Sequence, residues 1–354
     1  MPVPTTYIVS ARDVPEGSDA YGTEPGELRF HAVRPSASDY APSQAIAADR
    51  WRKLVLNAAD GIEDEITGKT GNVLIFVHGY NNQRKDVLWR TRKLQQTLSA
   101  AGWQGVVLAF DWPSDNSVLG YLEDRHDAAA VADRIVNELL PLLVPVARPT
   151  ANGTVRDPDP DCKVDVHLIG HSTGAFVAIE AFARAQSKGE LFKSDWRLGQ
   201  LVFIAGDVAA ASLAPDDAWA QPMMRRIVRL TNYSNGHDAV LGASNAKRLG
   251  LAPRAGRVGA PETAHAKVVN VDCTRYFETL DPAASEYSGT FCHSWHIGNP
   301  RFALDLALTL EARSDRHVLA TRETVDGRLV LNPSDGAVTR PAYADAWNTR
   351  RDFG

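Results

Sequence analysis

The sequence predicts an α/β protein with a mostly parallel central sheet and helices on both faces. Two observations carry this reading. Short uninterrupted apolar runs, the mark of strands buried on both faces, recur along the chain. Longer stretches with apolar residues at helical spacing separate them, and such alternation produces parallel strands joined by helical crossovers.

The first clear strand is NVLIFVHGY from Asn72, ending in His78-Gly79. Residues 84–100 follow as an amphipathic helix, with Val87, Leu88, Leu94 and Leu98 on one face and Arg, Lys and Gln on the other, and Gly102 stops it. GVVLAFDW from Gly105 is a second strand, and residues 121–143 carry Ala128, Val131, Ile135, Leu139 and Leu142 at helical spacing. After the polar loop ARPTANGTVRDPDPD comes a strand over Val164 to Ile169, then a buried helix, GAFVAIEAFARAQ, and a strand over Gln200 to Ala205. RRIVRLTNYS from Arg225 and AKVVNVDCT from Ala266 are two more strands, and NPRFALDLALTLEAR from Asn299 is the last helix.

The principal unit therefore spans residues 71–320. Residues 1–70 are less periodic; TTYIVSA and ELRFHAV are candidate antiparallel edge strands, which makes this region an N-terminal extension of the same sheet. Residues 209–222 and 239–264 interrupt the alternation and are rich in Ala, Gly, Pro and Asp. They are candidate cap segments over the carboxyl ends of the strands, where ligands bind in such sheets. Residues 321–354 read as a polar tail with one apolar run, RLVLN, and no functional assignment.

Composition narrows the function. The formal net charge is -5 across 354 residues, and the Arg-containing stretches are broken by acidic residues, so no basic field attracts nucleic acid. No stretch approaches the roughly 18 uninterrupted apolar residues of a membrane helix, which argues against integral membrane association. The N-terminal stretch has neither a positive segment nor a sustained apolar one, so the expected location is cytoplasmic. Cys162, Cys273 and Cys292 are odd in number and scattered, which predicts reduced and mostly buried thiols.

The chemistry centres on GHSTG, which sets Ser172 between Gly170 and Gly174 after a strand and before a helix. This is the context of a nucleophile elbow, a strained turn that lifts a serine to the top of a sheet. The bland alternative is a turn with a satisfied serine. A serine that attacks a carbonyl also needs donors for the resulting oxyanion. Thr173, the next residue, offers one backbone N–H, and Tyr80, after the turn at Gly79, offers the other, with His78 packed beneath as a structural residue.

Taken in order, VLIFVHGYNN, VVLAFDWPS, HLIGHSTG and HSWHIGNP resemble the α/β-hydrolase superfamily, and within it bacterial serine hydrolases of the DUF900 type, over roughly residues 70–312. The resemblance implies the α/β-hydrolase fold and a Ser, acid, His triad in that chain order, with the substrate left open. For the acid it implies Asp238, behind the Ser-Asn-Gly turn in TNYSNGHDAVLG; the rival is Asp207 in VFIAGDVAA. For the base it implies His293 rather than His296, because in similar sequences the histidine is followed by Ser, an aromatic residue and an Asn-Pro helix start. The two histidines also have a spacing that suggests a metal pair, but no helical HExxH or CxxC accompanies them, and no metal is expected.

Trp112 is either an acyl-pocket wall or core, and Cys292 reads as a buried small apolar residue without an elbow of its own. Together these residues imply a serine hydrolase that cleaves a carboxylic ester through an acyl-enzyme, without a cofactor, acting on a small-molecule ester or acyl compound. An amidase or thioesterase with the same triad is the alternative within the enzyme class, and a non-catalytic binding protein that keeps the fold is the alternative outside it. The residues carry no signal for oligomeric state.

Overall fold

The computed structural model describes residues 4–59, 63–64, 68–69, 71–114, 121–144, 148–149, 155–156, 164–188, 196–247 and 250–334. Its principal elements are β1 (Thr6–Arg12), β2 (Pro25–Val33), α1 (Ala48–Ala59), β3 (Gly71–Val77), α2 (Arg84–Ala100), β4 (Val106–Asp111) and α3 (Tyr121–Arg134). There follow β5 (Val164–His171), α4 (Thr173–Lys188), β6 (Leu198–Ile204), α5 (Gln221–Arg226), β7 (Ile227–Ser234), α6 (Ala239–Ala246), β8 (Val268–Asp272), α7 (Pro300–Glu311), β9 (Arg322–Val325) and β10 (Arg328–Leu331).

The strands form one 10-stranded sheet in the order β9-β10-β8-β7-β6-β5-β3-β4-β1-β2. All pair in parallel except at the two ends, where β2 and β9 run antiparallel to their neighbours. Crossover helices divide between the two faces, so the core has two layers. On one face Trp51 and Val55 of α1, Val131 of α3 and Val177 and Phe182 of α4 pack against Val73, Ile75 and Leu168. On the other, Val87, Leu94 and Leu98 of α2 and Phe302, Leu306 and Leu310 of α7 cover Leu74, Phe76 and Ile169. Burial on both faces is why β3, β4 and β6 read as unbroken apolar runs.

Several elements depart from the sequence reading for identifiable reasons. TTYIVSA is an inner strand: every residue of β1 is buried, and it pairs in parallel with β4, which leaves only β2 at the edge. Helix α1 was not legible because its buried residues, Trp51, Val55 and Ala59, make one narrow stripe among charged neighbours. The helix over 121–143 is interrupted by a π turn at Ile135–Leu139 before it resumes at Leu140–Leu143. Pro141 has no N–H to give and its ring crowds the carbonyl of the preceding turn, which widens the ladder there.

Residues 322–331, read as part of a tail, form the β9–β10 hairpin, and β10 joins the sheet through Asp272 and Val330. Of the two interrupting segments, 209–222 anchors in the core at Leu213 and Ala220, with Trp219 packed on Phe176, while Ala211, Pro215, Asp216 and Ala218 are exposed. The second supplies α6, which stands at the carboxyl ends of β6 and β7. Among the described residues no helix is long and apolar enough to cross a membrane.

Candidate functional site

Ser172 occupies the turn between β5 and α4 with φ of 56°, a left-handed conformation that costs a non-glycine residue of order 1 kcal/mol or more. Three backbone bonds hold it there: its N–H donates to Ile204 O, and its carbonyl accepts from the N–H groups of Asp207 and Ala175. The approach of neighbouring backbone explains the flanking glycines. A Cβ on Gly174 would lie 2.1 Å from the Val77 carbonyl oxygen and one on Gly170 2.7 Å from the Ala175 N, while on the facing loop one on Gly79 would lie 2.6 Å from the Ser172 Cβ. The geometry is that of a nucleophile elbow.

Next to the elbow, Thr173 opens α4, so its N–H is among those with no partner inside the helix and sits at the positive end of the helix dipole. Facing it is the loop from His78 to Asn82. Asn82 Nδ2 donates to the carbonyls of Gly79 and Tyr80, both at 2.8 Å, which curls this loop toward the serine. His78 is fully buried beneath it, stacked on Trp112 at 5.4 Å between ring centroids. Its Nε2 accepts the Trp112 N–H at 3.1 Å and its Nδ1–H donates to the Gly79 carbonyl at 2.8 Å, so burial lowers its pKa and keeps it neutral. Trp112 donates its indole N–H to the His78 carbonyl and is core, not a cavity wall.

Under the loop lies a network that sequence spacing gave no means of finding. Arg12 Nε donates to both carboxylate oxygens of Asp111, at 2.9 and 3.0 Å, and its NH2 reaches the Asn82 carbonyl. Tyr40 and Ser10 donate to the same carboxylate. Burial alone would push the Asp111 pKa up, but the Arg12 guanidinium and the Tyr40 hydroxyl hold it well below the usual carboxylate range. The ion pair therefore fixes the floor of the loop that carries Tyr80.

A cavity of about 480 Å³ opens over the elbow. Ser172, Thr173, Tyr80 and His293 all line it, so the structure brings these four sequence-predicted residues to one rim. Asp238 sits behind, fully buried, with Oδ2 2.7 Å from His293 Nδ1. Its other oxygen accepts the Leu241 N–H at 2.9 Å as the N-cap of α6, which fixes the carboxylate from a second side. Among the described residues, no hydrogen bond runs to Ser172 Oγ; the hydroxyl faces the cavity. Asp207 also lines the cavity but is held by Arg254 at 2.7 Å and Ser244 at 2.8 Å.

Behind His293 lies His171, buried, with ring centroids 5.0 Å apart. Its Nε2–H donates to the His293 carbonyl at 3.0 Å, and its Nδ1 accepts from Arg90 NH1 at 3.3 Å. Burial, with the like charges of His293 and Arg90, puts its pKa well below the ordinary value, so it serves as a neutral strut under the His293 backbone. His296 is buried against Trp295 and Phe302 away from the cavity. Cys292 is half-buried rather than buried, with its carbonyl accepting from Asn235. Among the described residues no group of His, Cys, Asp or Glu is arranged to hold a metal ion.

A mostly parallel sheet, an elbow serine at its carboxyl edge and a buried His-Asp pair beside it define an α/β hydrolase. The chain belongs to the family described as alpha/beta hydrolase of unknown function (DUF900), which it matches over residues 57–284. No curated protein matches it. Among solved structures it is similar to a cutinase-like protein from Cryptococcus sp., at 16% identity and a TM-score of 0.33 over 67% of this chain and 90% of that one. It is similar also to the RedJ thioesterase of the prodiginine pathway in Streptomyces coelicolor, at 16% identity and a TM-score of 0.27 over 60% and 81%. A third is EstE1, a thermostable carboxylesterase from a metagenomic library, at 16% identity and a TM-score of 0.30 over 73% and 92%.

Proposed function

We propose that the protein is a serine hydrolase that cleaves a carboxylic ester through an acyl-enzyme. The observation that carries this reading is the His293–Asp238 pair at 2.7 Å, set on the same cavity as a serine in the left-handed turn. His293 Nε2 takes the proton from Ser172 as Oγ bonds to the substrate carbonyl carbon. Asp238 accepts the Nδ1–H, which selects the tautomer with Nε2 free and stabilises the imidazolium that forms. The backbone N–H groups of Tyr80 and Thr173 receive the tetrahedral oxyanion, each worth about 3 kcal/mol in the transition state.

Collapse of that intermediate breaks the bond to the alkoxide, which leaves with the proton from His293. Water then enters, gives its proton to His293, attacks the acyl carbon and releases the acid and Ser172. Among the described lining residues, Ala239, Val240 and Leu241 form an apolar wall that suits the hydrocarbon part of an acyl group.

The test is labelling by a fluorophosphonate probe, followed by turnover of p-nitrophenyl esters against anilides and thioesters. The expected result is stoichiometric labelling that disappears in Ser172→Ala, with esters the fastest class. Folded protein that fails to label, or labels equally after Ser172→Ala, overturns the reading.

A further inference from the structure

We propose that Arg90 anchors a carboxylate carried by the substrate, so that the site takes anionic esters; this rests on the assignment of Ser172 and His293 above. Arg90 projects from α2 on the flank of its buried stripe, three residues after Val87 and four before Leu94; it is only 6% exposed and lines the cavity beside His171 and His293. One N–H donates to His171 Nδ1 and one to the Ser288 carbonyl at 2.8 Å. Nε is buried with no partner. A guanidinium has five N–H donors, and the two bonds leave the rest of the fork uncommitted.

No carboxylate lies within ion-pair distance of Arg90 among the described residues. Arg12, Arg254 and Arg322 are buried to the same depth, and each holds an aspartate. Arg301 and Arg316 hold none, but they lie outside the cavity and give their N–H groups to backbone carbonyls. Asp86, one turn earlier on α2, acts on Arg90 only from beyond ion-pair distance, and a buried planar guanidinium without a direct partner is matched by a carboxylate that accepts two of its N–H groups. Among the described lining residues the one acidic side chain, Asp207, is already held by Arg254, so it does not oppose an incoming anion. Lys247, exposed at the rim, adds charge of the same sign as Arg90.

The ligand class that fits is an ester with a carboxylate a short apolar spacer from the scissile bond, in its acyl half or its alcohol half. Two substrate pairs test this. Mono-p-nitrophenyl succinate against p-nitrophenyl butyrate probes the acyl half, and 4-acetoxybenzoate against phenyl acetate probes the alcohol half. In at least one pair the wild-type enzyme is expected to favour the anionic ester by about tenfold or more in kcat/KM, and the ratio is expected to fall toward one in Arg90→Gln. A ratio near one in both pairs for the wild type, or a preference that survives in folded Arg90→Gln, overturns the proposal.

Where Arg90→Gln does not fold by circular dichroism, Arg90→Lys keeps the charge without the fork and is expected to lower the same ratio; an unchanged ratio counts against Arg90. Calorimetric titration of succinate into Ser172→Ala separates the two proposals. Succinate bound by that variant and released by adding Arg90→Gln supports the anchor even where no ester is turned over, in which case the hydrolase reading alone falls. Wild-type protein that turns over no ester, together with a Ser172→Ala variant that binds no succinate, sinks both.

Discussion

Asp238 Oδ2 stands 2.7 Å from His293 Nδ1, while Oδ1 of the same carboxylate caps α6 through the Leu241 N–H. One side chain therefore couples the orientation of the imidazole to the start of the helix that walls the cavity. Asn at this position keeps an N-cap acceptor but loses the charge, so Asp238→Asn isolates the catalytic part of the role. It is expected to lower kcat by roughly 10³ to 10⁴ with little loss of stability.

Asp207→Asn is the informative partner. It leaves Arg254 buried without its counterion and is expected to destabilise the fold by about 2 kcal/mol or more while lowering kcat less than about tenfold. Turnover of p-nitrophenyl esters and urea unfolding of both variants check the pair. Equal losses of activity would remove Asp238 from the role proposed for it.

Strain at the elbow makes a second prediction. Ser172 sits at φ of 56°, where glycine bears no Cβ penalty. Ser172→Gly and Ser172→Ala are both expected to abolish turnover, yet Ser172→Gly is expected to be more stable than Ser172→Ala by about 1 kcal/mol, read from urea midpoints. The reverse order would mean that the serine conformation carries no strain. Gly174→Ala is expected to fail in the opposite sense, because its Cβ would meet the Val77 carbonyl at 2.1 Å.

Features that the chain announces locally were legible from the sequence, and those that depend on distant partners were not. The bounds of α2 at Arg84–Ala100 follow from a stripe of leucines and valines with a glycine stop, and β3 to β7 follow from apolar runs that need burial on both faces. The glycines of the elbow are legible for the same reason, since the constraint is imposed by adjacent backbone. The pairing of His293 with Asp238 spans 55 residues and is encoded in no spacing; resemblance alone pointed to it.

Arg90 was invisible because an arginine in an amphipathic helix reads as solvated even at the flank of the apolar stripe, and its partners, His171 and the Ser288 carbonyl, are distant in sequence. The Arg12–Asp111 pair under the Tyr80 loop joins the first strand to the fourth, so neither residue carries a local mark of its partner.

Buried histidines, among them His31, His78, His167, His171 and His296, set an acid limit on stability, and two of them show how. His167 donates Nε2–H to Asn72 Oδ1 and accepts the Gln200 N–H at Nδ1, so a second proton has no place and burial lowers its pKa to about 3. His171 is locked in the same sense between Arg90 and the His293 carbonyl, and its pKa also lies well below the ordinary value. Unfolded chains bind a proton at these sites below about pH 6.5 while the folded chain does not. Stability from both is fully present above that value and is lost as pH falls from there toward 3.

Urea unfolding at pH 7.5, 6 and 5 is expected to give a stability that declines at each acid step. His167→Gln, which cannot titrate, is expected to flatten the slope between pH 6 and 5. A slope unchanged by that substitution would mean that His167 is not the group responsible.

Arg322 and Asp305 make the last prediction, because they tie the β9–β10 hairpin to α7 through a fully buried ion pair. Arg322 donates Nε to Oδ1 at 2.8 Å and NH2 to Oδ2 at 2.7 Å, and both side chains are wholly buried. Tyr233 of β7 donates to the same carboxylate at 2.6 Å, and Thr321 donates to Oδ1. Burial alone would raise the Asp305 pKa, yet Arg322 and these hydroxyls hold it below the usual range. A fully hydrogen-bonded pair of this kind is not necessarily stabilising against an apolar replacement, but loss of one partner strands the other.

Asp305→Ala is therefore expected to cost about 3 to 5 kcal/mol, and Asp305→Ala with Arg322→Met to recover part of it. Because β10 pairs with β8 at the far end of the sheet from β2, truncation before Thr321 is expected to destabilise the sheet as severely as Asp305→Ala does. Urea midpoints of the single, double and truncated proteins decide the matter. A truncated protein as stable as the full chain would show that the hairpin only rests on the sheet.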